Sequence, residues 1–210
     1  GFGNVCSMTA RFLHEQGFKV IAVNDALGGV YKEEGLDIPV LLSYSRENGT
    51  VSGFPGTQPL HGNELFAVTS DIFVPAALEN QITDETAPLL QARIVAEAAN
   101  GPTTSEGDQI LREKGIFVIP DILCNSGGVT VSYFEWVQNA MHYYWPEEEV
   151  NEKLRAKMRQ AFDVVYRMHL EHQVDMRSAA YMVGVSRLAE ALFARGWIKR
   201  GRQGKSFLLH

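Results

Sequence analysis

The alternation of short apolar strands with helical stretches over residues 1–120 limits the fold more than any other feature of the sequence. Short runs that are apolar on both faces predict strands at residues 19–24, 71–75, 93–98 and 116–119. Helical spacing and capping residues predict helices at 4–16, 36–46, 83–90 and 104–114, and residues 48–63 are predicted to be irregular. Such alternation is typical of an α/β protein with a doubly wound, mostly parallel sheet covered by helices on both faces.

After Asn125 the pattern changes to helices alone, predicted at residues 129–144, 147–171 and 176–195. The chain opens directly on a glycine turn, so we expect that the first strand of the sheet is missing. No run approaches the roughly 20 apolar residues that span a bilayer.

Charge and cysteine content narrow the functional classes. The net charge of −6 makes a general affinity for nucleic acid or an anionic membrane unexpected. Two cysteines, Cys6 and Cys124, are too few for a disulfide framework in a chain of this size. A reducing cytoplasm is therefore the expected location.

The N-terminal residues Gly1 to Cys6 match the dinucleotide-binding pattern G-x-G-x-x-(G/A) at its first two glycines, with Cys6 in the third place. In that pattern the backbone approaches a pyrophosphate, and the N-terminus of the following helix faces the phosphate charge. Asp25, which follows the next predicted strand, stands where an acid contacts the adenosine ribose hydroxyls. The alternative is an ordinary helix-capping loop with an unrelated turn aspartate.

Three further segments follow predicted strands, at residues 75–77, 100–102 and 125–128. The carboxyl ends of parallel strands line the ligand crevice of a doubly wound sheet. Asn100 and Asn125 offer both a donor and an acceptor, which suits a carboxamide such as nicotinamide. Asn-Gly and Gly-Pro are also common turn formers, so one such segment alone indicates a turn.

The helix after Asn125 carries Val129, Ser132 and Trp136 on one face, because they are spaced by three and four residues. The Ser132 hydroxyl could donate to the backbone four residues earlier, as helical serines often do. It could instead donate to a substrate carboxylate. The pattern leaves both roles open.

Several of these segments together resemble the glutamate/leucine/phenylalanine/valine dehydrogenase family, and within it the glutamate-specific members. The segments that carry the resemblance occur in family order at residues 1–5, 22–25, 28–31, 75–80, 96–102, 119–125, 127–139 and 179–181. The long stretch around Ser132 is the most specific of them. Residues 201–210 look unlike the family and are expected to be a non-family tail.

The resemblance implies a role for each matching residue. The pyrophosphate would be cradled by Gly1, Gly3, Asn4 and Val5. Asp25, with Asn24 beside it, would lie near the adenosine ribose, and Ala76 would lie near the cofactor. Asn100 and Asn125 would hold the nicotinamide side. Ser132 would bind the distal carboxylate of the substrate, with Val129 packing beside it.

The resemblance also implies a domain order and an activity. Residues 1–125 would form a Rossmann-like dinucleotide-binding domain, and residues 126–200 would be C-terminal helices of that domain. With NAD or NADP, the intact enzyme would convert L-glutamate to 2-oxoglutarate and ammonium, as a homohexamer.

The resemblance implies that the catalytic lysine and aspartate belong to an N-terminal domain. This chain is therefore expected to hold no catalytic residue and no metal ligand, and to be inactive alone. A non-catalytic nucleotide-binding module and a leucine, phenylalanine or valine dehydrogenase are the alternatives.

Overall fold

The predicted alternation of strands and helices is present in the computed structural model, which describes residues 1–198. The predicted tail at 201–210 lies outside the described residues. The chain divides into two units, one from Gly1 to Asp121 and one that begins at Ile122.

The first unit begins with helix α1 (Asn4–Glu15) and a small antiparallel sheet. The strands of this sheet are β1 (Ala22–Asn24), β2 (Gly29–Tyr31) and β3 (Gln58–Leu60), in the order β1-β2-β3. The expectation of a mostly parallel sheet is therefore wrong for this part of the chain. Strands β2 and β3 escaped prediction because each has three residues and contains a glycine or a proline, which are depleted in strands.

The second sheet of this unit is parallel, as predicted. It consists of β4 (Ser70–Phe73), β5 (Ala92–Ala96) and β6 (Phe117–Ile119), in the order β4-β5-β6. Val95 pairs with Phe73 on one side and with Val118 on the other, and its side chain is fully buried. The core around this sheet consists of Ile82, Ala87, Leu90, Ala92, Val95, Leu111 and Ile116.

Two capped helices pack in the same unit. Helix α2 (Ile38–Asn48) begins after Asp37, whose carboxylate accepts a hydrogen bond from the Val40 amide. Helix α3 (Ser105–Glu113) begins after Thr104, whose hydroxyl accepts from the Gly107 amide. Both caps satisfy amides that the first helical turn leaves without an internal partner, and Thr104 is one of the caps that the sequence predicted.

The helix predicted at residues 83–90 is wrong, because only a short 3₁₀ turn forms there, at Ala87–Leu89. The Thr86 hydroxyl donates to the Gln81 carbonyl oxygen at 2.7 Å and accepts from the Thr83 amide at 2.9 Å. These side-chain bonds give the backbone a local alternative to the helical pattern.

The second unit is helical, as predicted. Its helices are α5 (Gly127–Met141), α6 (Glu147–His172) and α7 (Met176–Ala194), and the short helix α4 (Asp121–Cys124) lies at the boundary. Helix α7 begins after Asp175, whose carboxylate accepts from the Ser178 amide. Within residues 1–198 we find no helix with the length and apolar character to cross a membrane.

Candidate functional site

The N-terminal glycine turn lies at the carboxyl ends of two strands. The Phe2 amide donates to the Asn24 carbonyl oxygen, at the end of β1, over 2.5 Å. A Cβ atom placed on Gly1 would lie 3.3 Å from the Cβ of Ala77, which follows β4. The turn therefore joins the ends of β1 and β4, and it brings Gly1, Asn24 and the Ala76–Ala77 segment together.

Helix α1 leaves this turn with its N-terminus open. Gly3 occupies the N-cap position and, having no side chain, provides no capping bond. A Cβ atom on Gly3 would meet nothing within 4 Å, and Asn4 and Val5 are exposed. The first-turn amides of a 12-residue helix therefore face a space in which backbone donors and the helix dipole favour an anion.

Cys6, the departure from the glycine pattern, packs against the core of the first unit. It contacts a cluster that includes Phe2, Ala10 and Val23. Burial raises the pKa of the Cys6 thiol, so the side chain stays protonated and behaves as a small apolar group. Cysteine thus serves for close packing between helix and sheet.

The Asp25 carboxylate holds the loops around it. One oxygen, Oδ1, accepts from the Leu27 amide at 2.9 Å and from the Thr50 hydroxyl at 3.1 Å. The other, Oδ2, accepts from the Val51 amide at 2.6 Å. Burial raises the pKa of Asp25, but these hydrogen bonds outweigh it and leave the pKa below its usual value. The carboxylate is therefore charged at neutral pH.

The carboxyl ends of β4 and β5 are tied together beside the glycine turn. The Pro75 carbonyl oxygen accepts from the amides of Ala98 and Ala99, at 3.1 and 2.9 Å. Ala76 is half-buried directly after this point. Asn100 follows on an exposed turn, where Gly101 adopts a φ of 52°, a left-handed conformation that favours glycine.

A residue that the sequence analysis missed, Glu97, directly follows β5 and lies three residues before Asn100. Its side chain has no exposed surface. The carboxyl group accepts from the Thr103 hydroxyl at 2.6 Å and from the Asp121 amide at 2.8 Å. The available signal was an acidic residue at the end of an apolar strand, where charged side chains are rarely buried unless they have a partner.

The second unit carries the other predicted residues. Asn125 is half-buried just before α5, and Ser126 occupies the N-cap position of that helix. Val129 and Trp136 are 69% and 64% exposed, and Ser132 is exposed with them on one helix face, as predicted. The Ser132 hydroxyl donates to the Gly128 carbonyl oxygen at 3.2 Å, which is the backbone role that the sequence left open.

Nearly the whole chain matches a known protein family. Residues 1–196 match the model of the family described as glutamate/leucine/phenylalanine/valine dehydrogenase.

Relatives with curated names agree with this match. A protein of Staphylococcus aureus named NAD-specific glutamate dehydrogenase is 51% identical over 197 residues, which is 94% of this chain and 47% of the relative. A catabolic NAD-specific glutamate dehydrogenase of Bacillus subtilis is 52% identical over 198 residues, which is 94% of this chain and 46% of the relative. The chain thus spans about half the length of the curated relatives it matches.

Solved structures agree as well. Glutamate dehydrogenase from Peptoniphilus asaccharolyticus is 43% identical, with a TM-score of 0.80 over 94% of this chain and 46% of its own. A hetero-hexameric glutamate dehydrogenase from Thermus thermophilus is 32% identical, with a TM-score of 0.87 over 95% of this chain and 47% of its own. The α/β arrangement described above is therefore similar to that of known glutamate dehydrogenase structures.

Proposed function

Because the chain belongs to the glutamate/leucine/phenylalanine/valine dehydrogenase family, we propose that it is the NAD-binding half of a glutamate dehydrogenase. The whole enzyme converts L-glutamate to 2-oxoglutarate and ammonium. The observation that carries the proposal is the glycine turn at the carboxyl ends of β1 and β4, followed by the open N-terminus of α1. This arrangement fits a dinucleotide, because the missing side chains leave room for a diphosphate and the backbone amides supply its donors.

The proposed cofactor contacts of the first unit lie along this edge, and one further contact is proposed from the second unit. Gly1, Gly3, Asn4 and Val5 surround the diphosphate with backbone amides. Asn24 and Asp25 lie by the adenosine ribose, and Ala76 lies beside the cofactor. Asn100 and Asn125 hold the nicotinamide end through their side-chain amides. When bound, the nicotinamide supplies the hydride acceptor of the reaction.

The proposed substrate contacts lie on α5. The Ser132 hydroxyl turns from the Gly128 carbonyl oxygen to the distal carboxylate of glutamate, and Val129 packs against the substrate chain. The chain itself contributes no catalytic residue. The lysine and aspartate expected to handle protons and water belong to the other half of the enzyme.

We also propose that the two sheets of the first unit are halves of one doubly wound sheet. Within residues 1–198, β1 pairs only with β2 and β4 pairs only with β5. Since Gly1 lies between the carboxyl ends of β1 and β4, a strand leading into Gly1 would fit between them. The division into a dinucleotide-binding domain at residues 1–125 and its C-terminal helices at 126–200 belongs to the same proposal.

Three further features complete the proposal. The cofactor is NAD rather than NADP, because the curated relatives above are named NAD-specific and the charged Asp25 carboxylate beside the ribose would repel a 2′-phosphate. The intact enzyme is a homohexamer. Its location is the cytoplasm, as the two-cysteine composition led us to expect.

The first test is cofactor binding by the 210-residue chain. We expect weak, saturable NAD⁺ binding with chemical-shift changes at the Gly1–Val5 turn, and no NADH formation from glutamate, because the proton-handling residues are absent. Protein-observed NMR titration measures NAD⁺ binding, and an absorbance assay measures NADH formation. Chemical-shift changes remote from the turn would contradict the proposed cofactor site. Glutamate turnover would contradict the proposal that the catalytic residues belong to the other half of the enzyme.

The second test addresses substrate choice. In the full-length protein, Ser132→Ala is expected to lower kcat/KM for glutamate about 30-fold, because a hydrogen bond to a charged group is lost. The matched control is Ser43→Ala, because Ser43 also donates to a carbonyl oxygen four residues earlier, that of Pro39, within a helix. An equal loss for glutamate and leucine would instead favour a leucine-, phenylalanine- or valine-specific member.

A further inference from the structure

Glu97 is a buried acidic residue that has no role in the proposed reaction or in the glycine pattern. Among residues 1–198, it is the only charged residue that is buried. It directly follows β5, and its amide continues the parallel sheet by donating to the Ile119 carbonyl oxygen at 3.1 Å. Its position is therefore fixed by the sheet itself.

Each carboxyl oxygen of Glu97 ties down a different segment. Oε1 accepts from the Thr103 hydroxyl at 2.6 Å, which closes the loop that runs from Glu97 to Thr103. Oε2 accepts from the Asp121 amide at 2.8 Å, which holds the segment after β6. One buried side chain thus connects the carboxyl ends of two neighbouring strands.

Asp121 passes this connection on to the Asn100 turn. Its Oδ2 atom accepts from the Gly101 amide at 2.8 Å. On the other side of Asn100, the Ala99 amide donates to the Pro75 carbonyl oxygen at 2.9 Å. Asn100 is therefore held between two anchored neighbours, one of which depends on Asp121 and so on Glu97.

A contribution to stability does not by itself explain why a carboxyl group is buried at this position. Burying a polar group is unfavourable unless it is hydrogen-bonded, and an apolar residue of similar size would fill the same volume without that cost. What the carboxyl group adds is geometry, because it sets the Asn100 turn relative to the ends of β5 and β6.

We propose that Glu97 is a positioning residue, which sets the Asn100 turn for the nicotinamide end of the cofactor by holding Thr103 and Asp121. This inference rests on the proposed function. Glu97 does not touch the cofactor, and its effect is confined to the end of the dinucleotide that Asn100 faces. Losing its hydrogen bonds therefore affects recognition of the nicotinamide and leaves the adenosine and diphosphate contacts intact.

The test compares NAD⁺ with ADP-ribose, which shares the adenosine, diphosphate and ribose parts but lacks the nicotinamide. Affinities for the 210-residue chain are measured by protein-observed NMR titration. Glu97→Leu removes the hydrogen bonds from Thr103 and Asp121 at similar volume, and we expect about a tenfold loss of NAD⁺ affinity. ADP-ribose affinity should change less than about twofold, since that difference is within the scatter of single-site effects.

Two more variants distinguish positioning from a loss of folding. Glu97→Gln keeps an acceptor for Asp121 and can donate to the Thr103 oxygen, so it should restore NAD⁺ affinity. Thr103→Val removes one bond only, and should reproduce the NAD⁺ loss at about threefold even if Glu97→Leu fails to fold. The matched control is Glu85→Leu, the same change at an exposed residue, which should leave both affinities unchanged.

Each outcome decides the question. Selective loss of NAD⁺ affinity in Glu97→Leu and Thr103→Val, with rescue by Glu97→Gln, supports the proposal. Equal losses for both ligands in these variants, or variants whose NAD⁺ affinity is unchanged although the wild-type chain binds both ligands, overturn it and leave the proposed function intact. Binding of neither ligand to the wild type overturns the proposed function and, with it, this inference.

Discussion

Gly107→Ala is expected to lower the free energy of unfolding by about 3 kcal/mol, because the new methyl group would collide with backbone on a neighbouring segment. A Cβ atom at Gly107 would lie 2.5 Å from the carbonyl oxygen of Ile82 and 3.0 Å from its carbonyl carbon. Neither atom can move aside easily, since the Ile82 carbonyl oxygen also accepts from the Thr104 amide at 2.9 Å. Chemical denaturation of the two proteins measures the difference.

The matched control for this prediction is Gly184→Ala, in the middle of α7. A Cβ atom there would meet nothing within 4 Å, so the same substitution should raise stability by about 0.5–1 kcal/mol through helix propensity. A Gly107→Ala protein that unfolds at the wild-type denaturant concentration would show that α3 does not approach Ile82 as closely as described.

Asp25→Ala is expected to destabilise the chain by about 2 kcal/mol, because the Leu27 and Val51 amides and the Thr50 hydroxyl lose their acceptor. The Val51 amide contributes most to this loss, since Val51 is fully buried and its bond to Asp25 is the shortest of the three. Asp25→Asn should be nearly as unfavourable, because one carboxylate oxygen becomes an amide donor and then faces another donor. Denaturation at neutral pH, with the exposed Asp84→Asn as control, measures both changes.

The stabilities of the wild type and Asp25→Ala should also differ in their dependence on pH. The pKa of Asp25 in the folded chain is below its usual value of about 3.9, so the stabilisation is present above that pH. It is lost as the pH falls through the folded-state pKa and the carboxylate takes up a proton. The stability difference between wild type and Asp25→Ala should therefore shrink on the acid side of pH 4. A difference that stays constant down to pH 2 would contradict the hydrogen-bonded carboxylate.

Local signals in the sequence predicted the longer helices and the parallel sheet, but not the 3₁₀ turn at Ala87–Leu89. Apolar spacing and capping residues, which are signals that span only a few positions, predicted several elements. These are helix α1, the Thr104 cap of α3, and the long helices α6 and α7. The strands β4, β5 and β6 follow from short apolar runs between helices. The glycine turn and the end of β1 are adjacent, as a motif of this type requires.

Long-range contacts account for what the sequence did not predict. Strands β2 and β3 are defined by their pairing partners rather than by their own composition. The Asp25 side chain meets Thr50 and Val51 across an irregular segment whose path no local pattern describes. Glu97 and Gly107 owe their importance to Asp121 and Ile82, which lie far from them in sequence.

The unpaired edges of β1 and β4 have a consequence for handling the chain in solution. An edge strand presents amide and carbonyl groups to any extended polypeptide, and such edges promote aggregation unless they are covered. Within residues 1–198, these two edges flank the glycine turn. The space that one extra strand would occupy between β1 and β4 is therefore also a surface where separate molecules can pair through their edge strands. The yield of monomeric protein is thus a measure of whether these two edges are covered.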